Sequence, residues 1–190
     1  MKVGVLALQG DFYEHEQALR KLGVETVRVK LPLDLKDIDR LIIPGGESTT
    51  IGKLLIRYNL LDSVKKRVLK GMPVWGTCAG AILLAKHIAE GRVEGQPSLG
   101  LMDITAIRNA FGRQLDSFET TLLIKKVSDN SIPVIFIRAP ALKLPGKGVE
   151  ILSKLPDGTI VAAQQANMLA TCFHPELTDN LAFHKYFLKL

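Results

Sequence analysis

Long apolar segments are missing from this sequence. The longest nearly apolar stretch, residues 72–85, is interrupted by proline, glycine and threonine. It is too short to cross a bilayer, which takes about 20 consecutive apolar residues. The apolar start of the chain ends at Gln9 and acidic residues follow, so it predicts a buried first strand and not a signal peptide. We therefore expect no membrane association.

Cysteine and aromatic residues are also scarce. Cys78 and Cys172 could pair in principle, but a chain of this size does not need a disulfide, and nothing marks the protein as secreted. Free thiols and a cytoplasmic location are the resulting expectations. Aromatic residues make up 6% of the chain, which leaves few stacking platforms for bases, and the basic residues are scattered. We expect no nucleic-acid partner, despite a net charge of +6.

The overall composition is that of a globular protein. Hydrophobic residues account for 47% of the 190 residues and charged residues for 23%. A chain of this length can bury one substantial core. Because no internal repeat or long linker divides the sequence, we predict a single domain over residues 1–190.

Two patterns of secondary structure divide the chain. In the first half, predicted strands at 3–8, 26–29, 40–43 and 74–77 alternate with predicted helices at 12–22, 49–57, 61–70 and 79–89. The second half has predicted strands at 101–107, 120–127, 134–137, 149–155, 159–163 and 168–173, then a helix at 180–190. These patterns predict an α/β fold: a doubly wound, mainly parallel sheet flanked by helices, with an antiparallel extension in the second half.

The strand at 74–77 runs directly into Cys78, in the sequence Gly-Thr-Cys-Ala-Gly at 76–80. In nucleophile elbows of the Gly-x-Ser-x-Gly type, small flanking residues let the chain turn sharply and present the nucleophile at the carboxyl edge of the sheet. The N-terminus of the following helix stabilises negative charge on the sulfur. Taken alone, the pattern is explained equally well by a buried structural cysteine between two glycines.

A cysteine nucleophile needs a base, and His174 is the best candidate. It precedes Pro175-Glu176, so we expect His174 and Glu176 to project to the same side of an extended segment. The carboxylate would then orient the imidazole while the other ring nitrogen faces the thiol. His174 alone would more often be structural, but its combination with Cys78 and Glu176 favours a triad.

The other histidines and the second cysteine show no such combination. His15, His87 and His184 have no partner at metal-ligand spacing, so we expect surface or packing roles for them and no metal site. Cys172 is expected to be a core thiol.

The segment Pro-Gly-Gly-Glu-Ser-Thr at 44–49 follows a strand and opens a helix. It does not fit a phosphate-binding loop, because five residues separate Gly46 from Gly52 where four are required. Paired glycines can instead bring backbone N–H groups close to a ligand, which makes Gly46 a candidate oxyanion donor together with Ala79, the residue after the nucleophile. A simple helix-entry turn capped by Ser48 explains this loop equally well on its own.

Together, the segments at 45–49, 76–80 and 174–176 resemble the class I (triad) glutamine amidotransferases. Further segments, at 6–11, 14–15, 108–114, 136–140 and 169–178, look like the family of glutaminase subunits of pyridoxal 5'-phosphate synthase. The likeness covers essentially the whole chain. Cys172 departs from the serine expected more often at that position, but it lies outside the triad.

The resemblance implies a flavodoxin-like amidotransferase fold and hydrolysis of L-glutamine to L-glutamate and ammonia, without metal or cofactor. Cys78 would form a thioester, His174 would move the proton and Glu176 would orient His174. The glutamine-contacting residues implied by the resemblance are Gly46, Glu47, Ser48, Arg108, Ile137 and Arg138. Arginine suits the α-carboxylate of glutamine because it donates two parallel hydrogen bonds, although surface ion pairing is the alternative for both arginines.

The resemblance also implies a partner, a synthase subunit that forms a dodecameric core and binds one glutaminase per synthase subunit. That partner would combine ammonia with ribose 5-phosphate (or ribulose 5-phosphate) and glyceraldehyde 3-phosphate to make pyridoxal 5'-phosphate, the coenzyme form of vitamin B6. Direct transfer is reasonable because ammonia in neutral water is mostly ammonium, which is not nucleophilic. By the same resemblance, docking completes the oxyanion pocket, with Gln9 and Gly10 near the interface.

Two alternatives remain open. The chain could be the glutaminase subunit of another amidotransferase, such as imidazole glycerol phosphate synthase, although the segments at 108–114 and 136–140 argue against that. It could also be a non-catalytic α/β domain that only binds a partner. The intact set of cysteine, histidine and glutamate argues against this second alternative.

Overall fold

The computed structural model describes residues 1–89, 95–111 and 117–190. Its helices are α1 (Phe12–Lys21), α2 (Ser48–Arg57), α3 (Leu60–Leu69), α4 (Ala79–Leu84) and α5 (Ala182–Phe187). Its strands are β1 (Lys2–Leu6), β2 (Glu25–Val29), β3 (Arg40–Ile43), β4 (Val74–Thr77), β5 (Ala85–Ile88), β6 (Met102–Ile107), β7 (Ser117–Leu122), β8 (Ile132–Ile137), β9 (Ala141–Lys143), β10 (Glu150–Lys154), β11 (Ile160–Gln165) and β12 (Met168–Thr171). Short 3₁₀ turns lie at Pro32–Leu35 and Pro175–Leu177.

Ten of the described strands form one sheet. Their order is β2-β1-β3-β4-β12-β11-β9-β6-β5, and β10 pairs with β11 beside this path. The strands from β2 to β12 run parallel, in the order typical of flavodoxin-like sheets. Beyond β12 the pairing becomes mostly antiparallel, and β7 and β8 form a separate hairpin. The predicted fold class, with its antiparallel extension, is confirmed.

The central strands are buried on both faces, as expected when helices cover a parallel sheet on both sides. Every residue of β4 is buried, and so is nearly every residue of β1, β3 and β12. On one face the indole of Trp75 packs against Phe183 and Phe187 of α5, with ring centroids 6.1 and 5.6 Å away. Among the described residues, no helix has the length and apolar character needed to cross a membrane.

Several predicted boundaries are wrong. The helix predicted at 79–89 ends at Leu84, because the next residues leave the helix to pair with β6 as strand β5. Pairing within the sheet outweighs the helix propensity of alanine and lysine in this segment. The strand predicted at 120–127 lies at Ser117–Leu122, the helix predicted at 180–190 shortens to Ala182–Phe187, and the short strand β9 was not predicted.

Four neighbouring parallel strands end at the same edge of the sheet. The chain continues from β1 into Gln9, Gly10 and Asp11, from β3 into a glycine pair, from β4 into Cys78, and from β12 toward His174. In open α/β sheets this carboxyl edge forms the crevice where ligands bind. The topology therefore brings together segments that are far apart in the sequence.

Candidate active site

Cys78 occupies the sharp turn between β4 and α4. Its backbone has φ 46° and ψ −102°, a conformation that is strained for a residue with a side chain. A Cβ atom at Gly76 would lie 2.4 Å from the backbone of Gly80, and one at Gly80 would lie 2.1 Å from the carbonyl oxygen of Ile43. Both flanking positions therefore need glycine, and the strand–turn–helix geometry predicted for an elbow is present.

His174 lies beside Cys78 and is bonded to Glu176. Cys78 and His174 line the same cavity and interact electrostatically, and Nδ1 of His174 lies 2.7 Å from Oε1 of Glu176. The expected extended segment is wrong, because Glu176 lies in the 3₁₀ turn Pro175–Leu177. Proline suits the first position of such a turn, since its fixed φ is already helical and no N–H is required there. The turn brings the carboxylate back onto the ring.

The histidine and glutamate form a buried acid–base pair. Burial alone would lower the pKa of His174, but its hydrogen bonds and charge interactions with Cys78 and Glu176 outweigh burial and raise that pKa to about 10. Burial raises the pKa of Glu176, and the hydrogen bond from His174 opposes that rise. The imidazole is therefore held as a cation between the sulfur and the carboxylate.

A second carboxylate, Asp11, also faces His174. Its Oδ2 lies 3.4 Å from Nδ1 of His174, on the side of the cavity, and no sequence motif predicted this contact. Ligand atoms of Asp11, His174 and Glu176 lie within 4.8 Å of one another, so these residues could hold a metal ion. Because Nδ1 of His174 is already bonded to Glu176, a metal there would break the pair that orients the imidazole.

A cavity of about 400 Å³ opens in front of Cys78 and His174. It brings together every residue that sequence analysis assigned to the oxyanion donors, the glutamine contacts and the partner interface. These residues are Gln9, Gly10, Gly46, Glu47, Ser48, Ala79, Arg108, Ile137 and Arg138. Glu176 does not line the cavity and is linked to it through its bond with His174.

The loop after β1 packs tightly onto the glycine pair after β3. A Cβ atom at Gly10 would lie 1.7 Å from the carbonyl oxygen of Gly45, which accepts a hydrogen bond from the Asp11 N–H at 3.1 Å. Because C=O and N–H of a trans peptide point in opposite directions, the Gly46 N–H points away from Asp11. The Glu47 N–H donates to Oε1 of Gln9 at 2.8 Å and links the two loops again.

Glu47, and not Ser48, caps helix α2. Its carboxylate accepts hydrogen bonds from the backbone N–H groups of Thr49 (3.1 Å) and Thr50 (2.6 Å), so the alternative interpretation of this loop names the wrong capping residue, Ser48. Partial burial would raise the pKa of Glu47, but these hydrogen bonds outweigh burial and lower it. The same carboxylate pairs with Arg108 at 3.2 Å across the cavity wall.

Arg108 is held by neighbours that sequence analysis did not find. It donates from Nη1 to Oε1 of Gln96 at 3.1 Å, and Nε2 of Gln96 donates to Oγ of Ser48 at 3.1 Å. Gln96 is buried, yet no motif surrounds it that could have marked it in the sequence. The rest of the predicted motif at 112–114 lies outside the described residues.

The remaining histidines and Cys172 lie away from the cavity lining. His87 is exposed, whereas His15 and His184 are fully buried and bonded to each other behind the triad. Cys172 is a core thiol, as predicted, and burial raises its pKa well above the usual value.

A buried cysteine–histidine–glutamate set at the carboxyl edge of a flavodoxin-like sheet is the arrangement of a triad hydrolase. A solved structure described as a glutamine amidotransferase is 48% identical to this chain, with a TM-score of 0.92 over 98% of this chain and 97% of that one. A glutamine amidotransferase from Thermotoga maritima shares the fold, with a TM-score of 0.62 at 14% identity over 100% of this chain and 81% of that one.

The particular family follows from the sequence comparisons. The model of the SNO glutamine amidotransferase family matches residues 5–190, and the chain belongs to that family. Relatives from Herpetosiphon aurantiacus and Roseiflexus sp. are 62% and 59% identical over 190 residues, which is 100% of this chain and of each relative. Both relatives are named pyridoxal 5'-phosphate synthase subunit PdxT.

Proposed function

We propose that this chain hydrolyses L-glutamine to L-glutamate and ammonia and delivers the ammonia to a pyridoxal 5'-phosphate synthase. Membership of a glutamine amidotransferase family and the names of its full-length relatives support this function. The observation that carries it is that Cys78 lines one cavity together with His174, whose ring is bonded to Glu176. Residues 1–190 act as one glutaminase domain around one contiguous core.

In the first half-reaction, the Cys78 sulfur attacks the side-chain amide carbon of glutamine. Negative charge develops on the amide oxygen, and we assign its stabilisation to the backbone N–H groups of Gly46 and Ala79. His174 then gives its proton to the leaving nitrogen, which departs as ammonia and leaves a thioester on Cys78. Glu176 keeps Nδ1 of His174 protonated and its other ring nitrogen toward the sulfur.

In the second half-reaction, water attacks the thioester. His174 takes a proton from this water, glutamate is released, and the proton returns to the Cys78–His174 pair. One imidazole and one pair of N–H groups are enough for both half-reactions, so the proposed mechanism uses no metal and no organic cofactor.

Groups at the upper part of the cavity select free glutamine. We assign the α-carboxylate of glutamine to Arg108, because a guanidinium matches a carboxylate with two parallel hydrogen bonds. The α-ammonium group needs acceptors, and the Glu47 carboxylate faces the same cavity. Ser48, Ile137 and Arg138 complete the proposed glutamine contacts on the lining.

The proposed partner is a dodecameric synthase core that binds one glutaminase per synthase subunit. Gln9 and Gly10 lie at the cavity and pack on the loop that carries the oxyanion donor Gly46, so docking there would reach the oxyanion pocket directly. We expect the isolated chain to be slow and the complex to be fast. Two buried free thiols are compatible with the cytoplasmic location that we propose.

The decisive experiment measures ammonia release from glutamine with and without the synthase subunit. Wild-type protein should turn over and accelerate with the synthase, whereas Cys78→Ala should lose at least about 10⁴-fold in kcat because no thioester forms. Cys172→Ala is the matched control and should keep its activity, since this thiol lies in the core.

A glutamine-like electrophile should label wild-type protein once, at Cys78. Hydrolysis by Cys78→Ala at the wild-type rate would refute the nucleophile, and equal wild-type rates with and without synthase would refute activation by docking. A chain that neither hydrolyses glutamine nor reacts with the electrophile would be a partner-binding domain without catalysis.

A further inference from the structure

A second buried polar cluster lies directly behind the triad. It consists of His15 on α1, Thr77 at the end of β4 and His184 on α5. Nδ1 of His15 lies 3.1 Å from Nε2 of His184, and Nε2 of His15 lies 3.2 Å from Oγ1 of Thr77. All three side chains have no solvent exposure. None of these three side chains is therefore in contact with solvent.

The cluster reaches the triad through Glu176. Oε1 of Glu176 holds His174, but Oε2 is buried and accepts no hydrogen bond of normal geometry within the described residues. Nε2 of His15 lies 3.5 Å from this Oε2. A buried carboxylate with one unpaired oxygen is costly, because the charge has lost its hydration. Whether Nδ1 or Nε2 of His15 carries the single ring proton therefore affects the charge on Glu176.

His15 is neutral, because burial and the neighbouring His184 and His174 hold its pKa well below the usual value. A neutral imidazole carries one N–H, on either Nδ1 or Nε2. With the proton on Nε2, the N–H donates to Thr77 Oγ1 at 3.2 Å, and its nitrogen lies 3.5 Å from Glu176 Oε2. With the proton on Nδ1, a nitrogen lone pair would face a carboxylate oxygen 3.5 Å away. The charge of Glu176 therefore selects the Nε2–H form.

His184 gives an independent argument for the same direction. Its Nδ1 is buried and has no hydrogen-bond partner within the described residues. If His15 donated from Nδ1, Nε2 of His184 would have to accept, and the His184 proton would sit on that unpartnered Nδ1. Buried N–H groups without a partner are rarer than buried acceptors without one. His184 therefore donates from Nε2 to Nδ1 of His15, which leaves only a lone pair unpaired.

We propose that a one-way hydrogen-bond relay, His184 Nε2–H to His15 Nδ1 and His15 Nε2–H to Thr77 Oγ1, places the positive end of the His15 N–H dipole beside Glu176 Oε2, and that His15 is thereby a positioning residue for the triad. The proposal rests on the glutaminase function proposed above. His15 acts through Glu176 and touches neither the substrate nor the sulfur. Its N–H keeps Glu176 ionised and keeps Oε1 directed at His174.

The charged groups around Glu176 set the sign of the expected pH effect. Glu176 faces His174 from its own segment, and His15 and Asp11 from the N-terminal side of the fold. Burial and the nearby Asp11 raise the pKa of Glu176, and the hydrogen bond from His174 opposes them. In the proposal, the His15 N–H beside Oε2 acts in the same direction as His174. Without the His15 donor, that pKa rises further. Hydrolysis needs the ionised Glu176 carboxylate. On acidification, the variant should therefore lose activity at a higher pH than the wild type.

Matched substitutions at His15 test the relay. His15→Gln keeps an amide N–H near the position of Nε2, whereas His15→Met has similar volume and no donor. We expect His15→Met to lose about 10-fold or more in kcat with the synthase present, the usual range when a supporting partner of an active-site group is removed. The KM of His15→Met should stay within about twofold of the wild-type value, and the acidic side of its pH–activity profile should move to higher pH. His15→Gln should recover most of the kcat and most of the wild-type pH profile.

His87→Met and His87→Gln, at an exposed histidine, are the controls and should behave as wild type. A folded His15→Met with wild-type kcat and pH profile would overturn the proposal. Equal losses in His15→Met and His15→Gln, with an unchanged pH profile, would indicate a packing role only and would also overturn it.

The tautomers can be measured on unmodified protein, so the proposal does not depend on whether a variant folds. In the ¹⁵N-histidine spectrum of wild-type protein, we expect the proton of both His15 and His184 on Nε2, unchanged between pH 6 and 8. A proton on Nδ1 of His15 would refute the relay. Failure of the glutaminase function would appear separately, as absence of hydrolysis by wild-type protein together with the Nε2–H tautomers.

Discussion

The two walls of the cavity differ in how deeply their side chains are buried. The catalytic wall is defined as Cys78, His174 and, behind His174, Glu176, and it follows the ends of the parallel strands β4 and β12. The recognition wall is defined as Glu47, which follows the parallel strand β3, and Arg108, which follows β6, the antiparallel partner of β9. The Glu176 side chain has 0% exposure, whereas those of Arg108 and Glu47 have 18% and 47%.

This difference separates two physical tasks. In the buried wall the solvent screens charge poorly, so one hydrogen bond strongly shifts the protonation of its partner. In the more exposed wall, water screens the charges and the ion pairs are weak. A charged ligand can therefore replace one partner of such a pair and bind reversibly. Changes in the catalytic wall should therefore act on kcat, and changes in the recognition wall on KM.

The largest effect is expected from Glu176→Gln in the catalytic wall. The amide removes the charge that orients and stabilises the protonated ring, so kcat should fall by about 10³-fold or more with a small change in KM. Because Glu176 raises the pKa of His174, the NMR titration midpoint of His174 should also move to lower pH. Glu150→Gln, at an exposed carboxylate, is the control. A loss in kcat of less than tenfold would contradict a role of the buried carboxylate in kcat.

A smaller effect on a different constant is expected from Arg108→Met in the recognition wall. If Arg108 binds the α-carboxylate as proposed, loss of this charged hydrogen-bond donor costs about 1.5–3 kcal/mol, so KM for glutamine should rise about 10- to 150-fold. The steady-state kcat of the complex should change much less. Arg57→Met, at an exposed arginine of α2, is the matched control. If kcat fell and KM stayed constant, Arg108 would belong to the catalytic wall.

The smallest effect is expected on stability, from Glu47→Ala. Loss of the α2 cap should lower the free energy of unfolding by about 1 kcal/mol at pH 7, measured by urea denaturation. The pKa of Glu47 is lowered in the folded protein, so this stabilisation is present above the ordinary value of 4.5 and is lost as pH falls through the lowered one. Glu47→Gln keeps an acceptor and should retain most of the stability at pH 7. If the difference in unfolding free energy between wild type and Glu47→Ala stayed the same at acid pH, the cap would not depend on an ionised carboxylate.

Local sequence patterns predicted the parts of the site that depend on local chemistry. The elbow around Cys78 was predictable because two glycines and a buried strand specify a sharp turn, and the structure contains that turn. The doubly wound half of the fold was predictable because each strand and helix there carries its own periodicity. The pairing of His174 with Glu176 was predicted for a wrong reason, since a 3₁₀ turn and not an extended segment joins them.

What sequence patterns missed depends on contacts between distant segments. Asp11 and His15 lie close to the triad because α1 packs against the 3₁₀ turn that follows β12, and nothing in their local sequence specifies that packing. Gln96 supports Arg108 from a segment without a motif. The helix predicted through residue 89 stops at Leu84 because a strand partner, β6, is supplied by residues that come later in the chain.

The position of β12 in the sheet has a consequence for biosynthesis. It is the last strand of the chain, yet it sits between β4 and β11, in parallel register with the first and antiparallel register with the second. A nascent chain leaving the ribosome thus exposes its thiol 96 residues before the imidazole that we propose as its base, and the two portions of the sheet stay unjoined until translation nears its end. A polypeptide released before residue 174 would carry the proposed nucleophile without its base, so we expect it not to hydrolyse glutamine.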